Sequence, residues 1–189
     1  MIDKLIKISG KEYDKEIIEY GLAAMMNGAI SIIIILFLAI IDVSLPQSIV
    51  YLLSNLLIYT QVGGYHAKTR LGCVLLTIIN WKVAISFFYM WINTPIILWV
   101  MACAIFVTSI WICAPVLHPN KARFGEKTKL KQKVKAVIRV LLGYIVLIIF
   151  WYTHKQEYAG ILMMSISEIV IFMLIGKGVY AGYEEQEAS

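Results

Sequence analysis

The sequence is poor in most of what a water-soluble domain of its length would carry. Charged residues make up only 15% of its 189 positions, against about 25% in ordinary soluble domains. There are three cysteines, too few for a disulfide framework, and they are read as reduced thiols. The histidines form no two-histidine helical motif, and His118 and His154 are expected on opposite faces of a membrane. Neither a metal site nor a cofactor is therefore expected. A glycine-rich phosphate loop, an internal repeat and a low-complexity tract are all missing, and no nucleic-acid partner is expected. The longest connection, roughly residues 118 to 135, is too short to build a core of its own.

What is abundant is apolar surface. Hydrophobic residues make up 60% of the chain and its mean hydropathy is +0.79, values that belong to a membrane protein. Runs of bilayer-spanning length, about 20 residues, fall near 22–41, 45–62, 72–92, 96–117, 136–152 and 158–177. The expected fold is all-α, a polytopic bundle of six transmembrane helices forming a single domain over residues 1–189. Residues 1–20 mix Leu5, Ile6 and Ile8 with Lys4, Lys7, Lys11 and Lys15, the pattern of an amphipathic segment lying at the headgroup boundary or of a cationic topology anchor. No cleavable signal peptide is visible. Short loops rich in Lys and Arg stay cytoplasmic. With both termini inside, every Lys and Arg falls on the cytoplasmic side except Lys155, outside, and Lys82, within a span.

Between the second and third spans stands QVGGYHAKTRLGC, residues 61–73, the longest stretch that is neither apolar nor simply charged. Gly63 and Gly64 can end a helix and turn the chain. His66 titrates nearest cytoplasmic pH and is a candidate general base. Cys73 opens the third span, where a helix N-terminus and the nearby cations Lys68 and Arg70 favour a thiolate, making it a candidate nucleophile. On a straight helix, seven residues would hold the two side chains about 10 Å apart. Proton transfer needs contact, so an irregular loop is expected before Cys73, with Gly72 a flexible point beside it. The plainer reading is an interfacial histidine and a small packing cysteine. Cys103 and Cys113, inside the fourth span without titratable neighbours in sequence, are read as packing residues.

GGYHAKTRLGC resembles the signature of the accessory gene regulator protein B (AgrB) family of bacterial membrane peptidases, and length, span count and motif position agree with it. The resemblance implies catalytic roles for His66 and Cys73. It also implies a function: removing the C-terminal tail of a short pheromone precursor through an acyl-enzyme thioester, and promoting its cyclisation to a thiolactone or lactone for quorum sensing. The implied location is the bacterial cell membrane, with the catalytic loop on the cytoplasmic side. Where a basic residue is expected shortly before the glycines, Thr60 and Gln61 stand here.

The implied partner is an AgrD-like precursor peptide with an acidic tail, which Lys127, Lys129, Lys131, Lys133 and Lys135 would attract together with Lys68 and Arg70. As a bare sequence feature the lysine run is a positive-inside loop. Lys82 and Glu168 lie at similar depth within their spans and are expected to form an intramembrane ion pair. A small peptide transporter or exporter without proteolytic activity is the alternative function, although the broken helices at matching places that it would show are not found. A scaffold is a third reading, and homodimer formation is left open.

Overall fold

A computed structural model describes residues 15–42, 44–67, 69–116 and 126–188, with side chains placed within 21–181 except at residue 126. Its elements in chain order are α1 (Lys15–Ile41), α2 (Leu45–Ser54), a π turn (Asn55–Tyr59) running into Thr60–Val62, α3 (Arg70–Phe87) followed by a short helix (Tyr89–Ile92), α4 (Ile96–Cys113), α5 (Glu126–Tyr152) and α6 (Gln156–Ala188). Among the described residues everything regular is helical apart from one isolated bridge. A bilayer offers main-chain groups no hydrogen-bonding partner, so they must be paired within the segment.

Among the described residues five stretches are long and apolar enough to cross a bilayer: Gly21–Ile41, Arg70–Ile92, Ile96–Cys113, Lys127–Tyr152 and Gln156–Ala181. The second expected span, 45–62, is not among them: it is helical throughout but broken in register by the π turn. The expected fourth span runs too far. α4 stops at Cys113, because Ala114 adopts the extended conformation that a following Pro115 imposes. Helix α5 begins ten residues earlier than expected, so the lysine run is helical rather than a loop. The N-terminal amphipathic segment falls mainly on residues 1–14, outside the described residues.

Helix α6 is the axis of the bundle, 72% of its apolar window being buried, against 11–17% in the other four spans. Apolar side chains gain nothing by leaving lipid for one another, so membrane helices hold together by close packing and hydrogen bonds. Polar pairs along α6 supply the latter. The Ser54 and Ser165 hydroxyls bond each other at 2.6 Å, Asn55 donates to the Ser165 hydroxyl at 2.9 Å, and Tyr51 donates to Glu168 at 3.1 Å, the partners of α6 all coming from α2 or its π turn. Elsewhere Trp81 of α3 donates to Ser48 of α2 at 2.8 Å. Each such bond contributes about 0.6 kcal/mol in lipid.

The expected ion pair between Lys82 and Glu168 is not formed. Lys82 bonds Asp42, just past the end of α1, and both side chains stay partly open, at 55% and 32% exposure. A lysine stem extends its ammonium several ångströms beyond its own Cα toward the nearer interface, so depth counted along the helix misplaces the charge. Glu168 remains buried, with its other carboxylate oxygen unpartnered among the described residues.

Candidate active site

The loop that follows the π turn leaves helical geometry at Gly63 and regains it at Arg70. Gly63 takes φ +69°, and a Cβ there would lie 2.0 Å from the carbonyl oxygen of Val116. Both facts require glycine. The approach exists because Gly63 and Val116 form a parallel bridge, with Val116 N–H donating to Val62 O at 2.9 Å. The segment after α4 thereby pins the start of the loop.

From there the loop lies along α6. Tyr65 N–H donates to Phe172 O at 2.9 Å, and His66 N–H donates to the Tyr180 hydroxyl at 2.9 Å. Gly176 makes room between these contacts, since a Cβ there would come within 2.7 Å of Tyr65 N. Tyr59, the last residue of the π turn, donates its hydroxyl to Tyr65 O at 3.1 Å and sets its ring edge-on to His66 with centroids 5.8 Å apart. Gly64 sits against that ring, where a Cβ would be 2.9 Å from it.

Helix α3 then starts under a cap. Thr69, in extended conformation, accepts Gly72 N–H on its hydroxyl at 3.1 Å, which satisfies one of the orphan amides of the first turn, and its carbonyl accepts Cys73 N–H at 3.0 Å as the first bond of the helix. Gly72 therefore lies inside the helix rather than in a flexible loop. The Gly72 amide is committed to the cap and the Cys73 amide to the helix, so neither is free to hold an oxyanion.

The outcome of the fold-back is a contact of 3.7 Å between His66 Nδ1 and Cys73 Sγ. That is the looseness expected of a nucleophile and base at rest, and it can tighten around a substrate. Cys73 is half-buried and lies within the first turns of α3. The chemistry on offer is that of a thiol beside an imidazole at the mouth of a membrane bundle. Among the described residues no three His, Cys, Asp or Glu groups converge as metal ligands.

The remaining residues singled out from sequence are dispersed. Arg70 is exposed at the first position of α3, and Lys68 lies outside the described residues. Lys127, Lys129, Lys131 and Lys135 are exposed on the opening turns of α5, whereas Lys133 is partly covered, its ammonium 5.6 Å from the Trp111 ring centre. Cys113 is touched by Lys177 at 3.5 Å, and Cys103 packs where Tyr144 donates to its carbonyl at 3.4 Å. Sequence reasoning missed Tyr59, Thr69, Tyr180 and Arg139. Thr69 carried a signal, a helix-capping residue just before an apolar run. Tyr180, 114 positions from His66, carried none.

A family model described as Accessory gene regulator B matches residues 1–174. The AgrB-like protein 2 of Clostridium perfringens (strain 13 / Type A) is 31% identical over 183 residues, covering 87% of this chain and 84% of that protein. An AgrB-like protein of Clostridium perfringens (strain SM101 / Type A) is 29% identical over 187 residues, covering 88% and 86%. No solved structure matches the chain.

Proposed function

The chain belongs to the accessory gene regulator B family, and from that premise we propose that it is a membrane-embedded cysteine endopeptidase which trims and cyclises a quorum-sensing peptide precursor. Family membership supports the coarser role, processing of the signalling peptide. The observation that carries the finer one is the 3.7 Å approach of His66 to Cys73, with the intervening loop tied at Gly63 to the segment after α4 and at Tyr65 and His66 to α6.

In the proposed reaction His66 Nδ1 takes the Cys73 proton, with Nε2 carrying the ring hydrogen. The thiolate attacks the carbonyl at the C-terminal side of the future ring. Collapse of the tetrahedral adduct breaks the C–N bond, and His66 returns its proton to the departing amine of the tail. The acyl group then sits on Cys73 as a thioester. A thiol within the same peptide gives its proton to His66 and attacks this thioester, so the peptide closes as a thiolactone and Cys73 is released. One thioester replaces another at little net cost, provided water is kept from the intermediate.

The positive-inside pattern supports a cytoplasmic catalytic loop within the bacterial cell membrane. Lys127, Lys129, Lys131 and Lys135, open to solvent on α5, would draw in an acidic tail.

The test uses purified protein in liposomes with the precursor encoded beside its gene, followed by mass spectrometry. Wild type is expected to release the tail and form the cyclic product. Cys73→Ser and His66→Ala, folded, are expected to lose both. Unchanged cleavage in either variant would move the chemistry elsewhere, and no cleavage by wild type would promote a transport role.

A further inference from the structure

Among the described residues the one π turn, Asn55–Tyr59, lies just before the loop that carries His66. A π turn holds one more residue than an α turn, and single π turns inserted in α-helices are frequent at functional sites. Its beginning is pinned by Ser54 and Asn55, which both donate to Tyr51 O and both reach Ser165 on α6. Its far end is reached from α5. Arg139 donates through one guanidinium nitrogen to Leu57 O at 2.7 Å and to Thr60 Oγ1 at 3.2 Å, while Thr60 Oγ1 donates onward to Leu56 O at 2.8 Å.

Tyr59 stands between those two anchor points. It is the residue whose ring meets His66 and whose hydroxyl holds Tyr65 O. Rotation of the π turn by even part of a residue step would swing Tyr59 off the loop and release the imidazole from the position that brings Nδ1 to the thiol.

We propose that Arg139 is a positioning residue for the His66–Cys73 pair: it clamps the π turn and so holds Tyr59 against the imidazole. The two hydrogens of one nitrogen, fixed in the guanidinium plane, serve a carbonyl and a hydroxyl three positions apart, a direction that a freely rotating ammonium on a flexible stem holds less well. A charge-assisted bond at the edge of a low-dielectric bundle is among the stronger ways to fix a main-chain carbonyl. The kinetic consequence rests on the peptidase reading. The consequence for thiol reactivity does not.

The experiment compares wild type, Arg139→Gln, Arg139→Lys and His66→Ala in liposomes, all with Cys103→Ala and Cys113→Ala so that Cys73 is the sole thiol. Two quantities are read: the rate of Cys73 alkylation by iodoacetamide across neutral pH, which needs no peptide, and kcat and KM for precursor cleavage. Arg139→Gln is expected to slow alkylation toward the His66→Ala rate and to lower kcat roughly 10- to 100-fold with KM unchanged, as small misplacements of reacting groups do. Arg139→Lys should fall between it and wild type. A folded Arg139→Gln protein that alkylates like wild type, or whose only change is a raised KM, overturns the proposal. If Arg139→Gln does not fold, Arg139→Lys and Thr60→Val decide, since each removes only part of the clamp: slowing in either supports it, and wild-type rates in both overturn it. A wild type that cleaves no precursor yet shows His66-dependent alkylation refutes the peptidase reading alone, and the alkylation rates of the Arg139 variants still decide the clamp.

Discussion

Gly63 shows how much of the site rests on single atoms. A methyl group there would collide with the Val116 carbonyl and would also have to hold φ near +69°. Backbone strain alone costs about 1–3 kcal/mol, and the clash forces the bridge between Gly63 and Val116 apart. Gly63→Ala is therefore expected to lower the thermal midpoint of the protein in detergent and to abolish cleavage, whereas Gly178→Ala, where a Cβ would meet nothing within 4 Å, should leave both intact. Equal midpoints for the two would contradict the bridge. The paired glycines, the histidine and the cysteine were all legible in the sequence, because each is chemically unusual in an apolar chain. Tyr180 and Phe172 were not. They act through a hydroxyl and a carbonyl that gain meaning only once α6 passes beneath the loop.

At the level of elements, two pairings follow from how helices cross. Lys82 on α3 meets Asp42 beyond α1 at a partly open site, where an ion pair contributes about 1 kcal/mol or less. A double-mutant cycle with Lys82→Met and Asp42→Asn should return a coupling of that size, and Glu168→Gln should show no coupling to Lys82. Strong coupling between Lys82 and Glu168 would reverse the assignment. The second case is α5, whose opening turns hold Lys127, Lys129, Lys131 and Lys135 on an ordered helix. A rigid row of exposed charge attracts an acidic peptide in a salt-dependent manner. Replacing these four by Glu should raise the KM for the precursor most at low ionic strength. A folded variant with normal turnover at every salt concentration would leave the row a topology signal only.

Across the whole molecule, the loop contacts bring the π turn, the segment after α4, the start of α3 and the last third of α6 to one end of the bundle. The proposed orientation, drawn from the cation bias, puts that end in the cytoplasm. With the native cysteines replaced, an impermeant maleimide should label Lys155→Cys from outside intact cells, and Lys127→Cys only after they are opened. Labelling of both from the same side would require a different number of crossings. Among the described residues five helices are long and apolar enough to cross, and the helical stretch 45–62 is the segment on which a sixth crossing depends.

Composition and hydrophobic run length by themselves determined that the protein is a helical membrane bundle, because lipid tolerates few other backbone arrangements and the requirement is local to each segment. Residue chemistry likewise marked His66 and Cys73, since a thiol and an imidazole close together in sequence stand out among Leu and Ile. Only the tertiary structure decided that the two meet, that Lys82 turns to Asp42, and that a π turn braced by Arg139 precedes the loop. Those outcomes depend on which helices lie side by side and on side chains reaching across 40 to 114 positions of chain. Periodicity within one segment holds no information about such distances.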